Sequence, residues 1–202
     1  YILSKKENHT KKWRQLLKTN FINGLLVIDT IVLIFNPDAK ASLIKGLMQI
    51  GFFKPDVEKH EESYPMASNA VFTDASGKAT DIASLKDKVV FINFWATWCP
   101  PCRAELPSIN KMYQQFGTNK NIVFLLVDAD GNLDNSNAFM QDHNYTLPLF
   151  ISSSNISQDL FSGTLPTTIV INKKGQIVFK ETGAADYETK SFTDFITKLA
   201  AE

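Results

Sequence analysis

The chain has 202 residues, 44% of them apolar and 21% charged, enough for one substantial core with a short appendage. Lys plus Arg and Asp plus Glu each total 21, so overall charge gives no argument for a nucleic-acid partner. Two cysteines close in sequence cannot build a disulfide scaffold, and His9, His60 and His143 lie too far from them in sequence to suggest a zinc set.

The charges are unevenly spread. Lys5, Lys6, Lys11, Lys12, Arg14 and Lys18 crowd the N-terminus against Glu7 alone, and FINGLLVIDTIVLIF comes next at 21–35. Extending that run back to Leu16 gives about the 20 residues a bilayer span needs, but takes in Lys18 and Asn20. Asp29 near its middle costs about 2.5–3.5 kcal/mol, which about ten apolar residues at about −0.3 to −0.6 kcal/mol each just offset. Three readings compete. The favoured one is an uncleaved anchor at 21–36, with 1–20 as a basic cytoplasmic tail and everything beyond it outside. A cleaved signal peptide finds only a poor cleavage site in NPDAKA at 36–41, and a soluble amphipathic helix is the third. The chain opens on Tyr1 rather than Met, so its true start is left open.

Residues 37–62 read as a juxtamembrane amphipathic helix and linker. Leu43, Ile44, Leu47, Met48, Ile50 and Phe52 make an apolar stripe, suited either to a membrane surface or to packing against a core. Residues 54–65 are charged, carry Pro55 and Pro65, and read as the linker.

From 63 to 202 strand and helix signals alternate, which predicts an α/β sheet with helices on its faces. A hairpin is expected from strands at 71–73 and 80–82. The apolar strand 89–95 runs into Trp98-Cys99-Pro100-Pro101-Cys102, with a helix from about 101 to 116 beyond it. Sulfurs so spaced at a strand-to-helix junction can open and close a disulfide with little backbone motion, which is redox chemistry rather than a staple. Then come a buried strand at 122–128, a helix at about 135–143, a short strand at 149–151 and a helical turn at 158–161. Strands 167–171 and 176–180 enclose Asn172-Lys173-Lys174-Gly175 as a hairpin, and an amphipathic helix at 187–200 closes the chain.

FINFWATWCPPCRAELP at 91–107, with TLPTTIVINKKGQIVFKETG at 164–183, resembles the TlpA/ResA-type thioredoxin-fold thiol–disulfide oxidoreductases of the bacterial envelope. The resemblance implies a thioredoxin-like α/β fold, a central mixed sheet flanked by helices, here behind an N-terminal membrane-anchor helix. It also implies a single-pass protein of the bacterial inner membrane whose catalytic domain faces the periplasm or cell exterior.

In such a site Cys99, at a helix N-terminus, should be the exposed sulfur that ionises, and Cys102 the less exposed resolving thiol. Pro100 and Pro101 stiffen the loop where helix donors lack partners. Leu165-Pro166 matches the family's cis-proline loop, which places backbone beside the cysteines to pair with a substrate strand. Asn93 stands where cytosolic thioredoxins carry a buried acid, so Glu105, from the family's CxxCxxE pattern, is the substitute proton carrier, against the alternative of a solvent-exposed helix glutamate. Trp95 is expected in the core and Trp98 at the substrate surface. Pro107 is read as a kink or a helix end. His143, Asp128 and Asp130 receive no catalytic role.

The resemblance favours reduction of protein disulfides, and roles such as cytochrome c maturation or thiol repair come from the family alone. No cofactor is implied beyond the Cys99–Cys102 pair and no metal. The implied partners are disulfide-containing clients, the membrane, and a transmembrane thiol donor of the DsbD/CcdA kind. A thiol peroxidase is the first alternative, opposed by Trp95 four residues before Cys99, where that class carries Thr or Ser. A non-catalytic adaptor is the second.

Overall fold

A computed structural model describes residues 20–57 and 65–202. Most of the basic tail, and the part of the linker at 58–64, lie outside the described residues.

Helix α1 (Asn20–Phe35) leaves all of its large apolar side chains, from Phe21 to Phe35, exposed. It stops because Pro37 has no N–H to give and because Asn36 caps the next helix. The Asn36 Oδ1 accepts from the Asp38 and Ala39 N–H groups at 2.8 and 3.2 Å, starting α2 (Pro37–Gln49). No single helix among the described residues is long and apolar enough to cross a membrane; α1 and α2 pass by length and composition only as a pair.

A division in contacts falls after Lys40, and the second unit runs from Ala41 to Glu202. Within it α2 uses one stripe for packing. Ala41, Ile44 and Met48, spaced i, i+3, i+7, sit with Phe53 against Ala104, while Leu43, Ile50 and Phe52 stay exposed. Of the stripe expected from the sequence, Ile44 and Met48 pack in this cluster, and Leu43, Ile50 and Phe52 do not.

The seven strands are β1 (Val71–Asp74), β2 (Ala79–Asp81), β3 (Val89–Trp95), β4 (Ile122–Asp128), β5 (Leu149–Ser152), β6 (Thr167–Ile171) and β7 (Ile177–Thr182). They form one mixed sheet in the order β2-β1-β5-β4-β3-β6-β7. The central trio is parallel; β1, β2, β6 and β7 add antiparallel pairings at either side. All seven residues of β3 are buried, as a strand with two covered faces requires.

Strand alternation sorts the core into two layers. Val89, Phe91 and Trp95 share one with Val170 and Phe179, together with residues of α3 (Pro100–Phe116), α4 (Leu133–Asp142) and α5 (Lys190–Ala201). Val90, Ile92 and Phe94 face the other way, onto Phe72, Ile82 and Leu160. Gly175 takes φ +83° in the β6–β7 turn, the left-handed conformation that favours glycine. Pro107 lies inside α3 rather than ending it, and the turn at 158–161 is held by bonds from Leu160 and Phe161 N–H to Ser157 O.

Candidate active site

Strand β3 delivers the chain to the C-terminal end of the sheet, and α3 leaves from there. Cys99 is the N-cap, with extended backbone, and Pro100 and Pro101 fill the first two helical positions. Prolines carry no N–H, so the first donor the helix presents belongs to Cys102. That N–H points at Cys99 Sγ, 3.3 Å away. The sulfur therefore sits where oriented backbone dipole favours negative charge. The two sulfurs are joined as a disulfide, with Cα atoms 5.3 Å apart.

One expectation is corrected. Cys99 is not the exposed partner of the pair: it is 2% exposed and Cys102 0%. In the disulfide form both sulfurs belong to the apolar cluster that holds Trp95, Ala96 and Leu106, and burial results from that packing. The group that stands open beside them is Trp98, 61% exposed, whose indole N–H donates to Asp130 Oδ2 at 2.6 Å. Trp95 is fully buried.

Glu105 lies one helical turn beyond Cys102 and is 0% exposed, so it faces inward rather than toward solvent. Its Oε1 accepts from Asn93 Nδ2 at 2.7 Å, and its Oε2 accepts a long bond, 3.3 Å, from the Ala185 N–H. Burial raises its pKa to about 8; the two bonds oppose this incompletely, and the charge of Glu181 adds to it. Asn93 donates its second N–H to Thr168 Oγ1 at 2.8 Å, while its Oδ1 has no hydrogen-bond partner among the described residues. Tyr187 is fully buried, its phenol pushed well above the usual range by burial and by the charge of Glu105. Ser108 ties Tyr187 to α3: it donates to Glu105 O at 2.8 Å and accepts from the Tyr187 N–H at 3.2 Å.

The Leu165–Pro166 peptide is cis. Phe94 pairs with Thr167, so Pro166 lies one step further along, at the end of the sheet where Cys99 sits. Leu165 packs against the cluster that contains both cysteines. His143 caps α4 and stacks on Phe139 at 4.1 Å between ring centroids. No group of three or more His, Cys, Asp or Glu placed to hold a metal occurs among the described residues.

Sequence reading did not find Thr168, Tyr187, Glu181 or the Trp98–Asp130 bond. Thr168 and Glu181 line up with Asn93 only once β3, β6 and β7 are in register, and Tyr187 comes from the segment after β7. A usable signal was present for one of them: Thr168 is one of two polar residues, with Thr167, that open the strand TTIVI.

This geometry defines a class: a thioredoxin-like fold bearing a dithiol–disulfide pair at a helix N-terminus above a buried carboxylate. The profile of the Redoxin family matches residues 55–196. The thiol-disulfide oxidoreductase ResA of Bacillus cereus (strain ZK / E33L) is 36% identical over 134 residues, spanning 66% of this chain and 76% of that protein. ResA of Bacillus subtilis (strain 168) is 32% identical over 118 residues, 58% of this chain and 65% of that one. Among solved structures, a thiol:disulfide interchange protein from Chlorobium tepidum TLS superposes with a TM-score of 0.56 at 21% identity, over 69% of this chain and 99% of that one. StoA from Bacillus subtilis gives 0.53 at 22%, over 65% and 98%; both show the shared fold. The chain belongs to the Redoxin family, as a ResA-like thiol-disulfide oxidoreductase.

Proposed function

We propose that this protein reduces disulfides in client proteins of the bacterial envelope, with Cys99 attacking and Cys102 resolving. The observation that carries this reading is the Cys102 N–H aimed at Cys99 Sγ, at the head of a helix whose first two residues offer no competing donor. In the reduced protein the Cys99 thiolate attacks one sulfur of a client disulfide and expels the other as a thiolate. Cys102 then gives its proton to the Glu105 carboxylate and attacks Cys99 Sγ. The Cys99–client bond breaks, the Cys99–Cys102 bond forms, and the client leaves as a dithiol after its two thiolates take protons, one from Glu105 and one from solvent. Two electrons have passed to the client.

The oxidised pair must then be reduced by another dithiol, and a transmembrane thiol donor of the DsbD/CcdA kind suits that step. Trp98, Pro100, Pro101, Leu165 and Pro166 form the client-facing rim, where the backbone beside the cis peptide can pair with an extended client segment. Tethering through residues 21–36, with 1–20 in the cytoplasm and 63–202 outside the inner membrane, is supported by the exposed apolar surface of α1. Cytochrome c maturation is a process that uses such a reductase.

Insulin reduction and a redox titration test the direction. A potential near thioredoxin's roughly −270 mV supports a reductase, and one near DsbA's roughly −120 mV reverses the assignment. Cys102→Ala tests the division of labour: Cys99 should accumulate mixed disulfides with envelope proteins, and their absence under oxidising conditions would leave an adaptor.

A further inference from the structure

Asn93, Thr168 and Glu181 lie side by side on three adjacent strands. Asn93 pairs with Thr168 across β3 and β6, and Thr168 pairs with Glu181 across β6 and β7. Directly opposed residues of antiparallel strands point to the same face. That face is the one α3 covers, since Phe91, Val170 and Phe179, each two positions away from a member of this row, belong to the α3 core layer. The row therefore starts at the Asn93 amide, which binds both Glu105 and Thr168, and ends at a half-buried carboxylate on the outermost strand.

We propose that Glu181 is a positioning residue for the exchange reaction, acting on the Cys102 resolving step by controlling the charge on Glu105 across the Asn93–Thr168 row. This rests on the reading of Glu105 as the group that takes the Cys102 proton. The groups gathered at Glu105 leave Glu181 as the source of the nearby negative charge. From β3 and β6 come the neutral Asn93 and Thr168, and from the segment after β7 come the Ala185 N–H and the un-ionised Tyr187 phenol; α3 itself contributes the cysteines. Lys180, the neighbouring cation on β7, turns to the opposite face, where its Nζ donates to Gln158 O and Asp159 O. A carboxylate so placed makes a second negative charge at Glu105 harder to form, in agreement with the direction of the Glu105 shift. Burial is the larger cause of the proton that Glu105 holds at neutral pH; Glu181 adds to it, so that Glu105 accepts the proton of Cys102 only at still higher pH.

The test uses the full-length reduced protein and Ellman's reagent. The first thionitrobenzoate released reports Cys99 attack, and the second reports Cys102 resolving the mixed disulfide. In Glu181→Gln the pH profile of the second release should move down by about half a pH unit or more, because Glu105 ionises earlier. The first release should keep its profile, and in a Glu105→Gln background Glu181→Gln should move nothing. A second-release profile superimposable on wild type overturns the proposal. So does an equal shift in both releases, or a shift that persists without Glu105, since either would be a general surface-charge effect. Failure of the wild-type protein to release a second equivalent sinks the dithiol reading beneath it, a distinct outcome.

Discussion

Two buried carboxylates, Glu105 on α3 and Asp128 at the end of β4, share a sheet end and little else. Asp128 is 3% exposed and accepts three bonds of 2.9 Å, from the Asp130 N–H, the Asn132 N–H and the Ser136 hydroxyl. Its charge is met by donors on the loop and helix just after it, so it fastens β4 to α4. Glu105 has one short bond and one long one, beside an Asn93 oxygen that offers no donor, and Glu181 adds a like charge. Burial then outweighs hydrogen bonding, and the group titrates at about 8. Burial alone does not separate a structural acid from a chemical one. Donor number and geometry do.

The sharpest way to break this contrast is to remove each acid. Asp128→Ala strands two backbone N–H groups and a hydroxyl at a loop that depends on them. Of these donors the Ser136 hydroxyl is the buried one, while the two N–H groups belong to exposed residues that water can reach, so the loss of stability should be about 1–3 kcal/mol in urea denaturation. Thiol exchange by the fraction still folded should be nearly normal. A fully stable Asp128→Ala protein with crippled exchange would invert the comparison.

Glu105→Gln should do the reverse, slowing resolution by about 10²-fold, the lower end for loss of a proton-transfer group, while the fold survives. Stability should also change its pH dependence. The folded group titrates at about 8 and the unfolded one near 4.3, so the native state holds the extra proton between those values. The stability this contributes is fully present below about pH 4.3 and is lost as pH rises through about 8, at no more than about 1.4 kcal/mol per pH unit. Urea midpoints of the disulfide form from pH 5 to 8.5 should fall for wild type and stay comparatively level for Glu105→Gln. Parallel curves would show that Glu105 is charged throughout.

Much of this arrangement is legible in the sequence. The apolar run 89–95 ending on Trp98-Cys99-Pro100-Pro101-Cys102 places the sulfurs at a strand–helix junction, and the family's CxxCxxE pattern points to Glu105. The surroundings of Glu105 are not local. Thr168 is 75 residues from Asn93, and Glu181 reaches the row through a β6–β7 pairing whose register shifts between Val170 and Ile171. No periodicity shows an irregularity of that kind in advance. The expectation of an exposed Cys99 fails because helix-terminal position describes backbone, whereas exposure depends on which side chains close over the sulfur. Helix α2 is ambiguous for a similar reason: its apolar stripe suits either a membrane surface or a core, and which of its residues pack is decided by contact with Ala104 on a distant helix.

The smallest effect concerns the bond that joins the two regions. Asp130 gives its N–H to Asp128 Oδ1 and accepts the Trp98 indole N–H on its own carboxylate, so the Asp128 loop holds the ring beside Cys99. The bond is exposed, and its loss in Asp130→Ala should weaken placement of the indole by about 0.5–1.5 kcal/mol. That corresponds to a few-fold rise in KM for insulin, with kcat unchanged. Ellman's reagent, too small to need the rim, should react at the wild-type rate. Asp130→Asn keeps an acceptor and should recover most of the insulin KM. If the small disulfide slows as much as insulin does, Asp130 acts on the sulfur chemistry itself, and the separation between a holding region and a reacting one no longer stands.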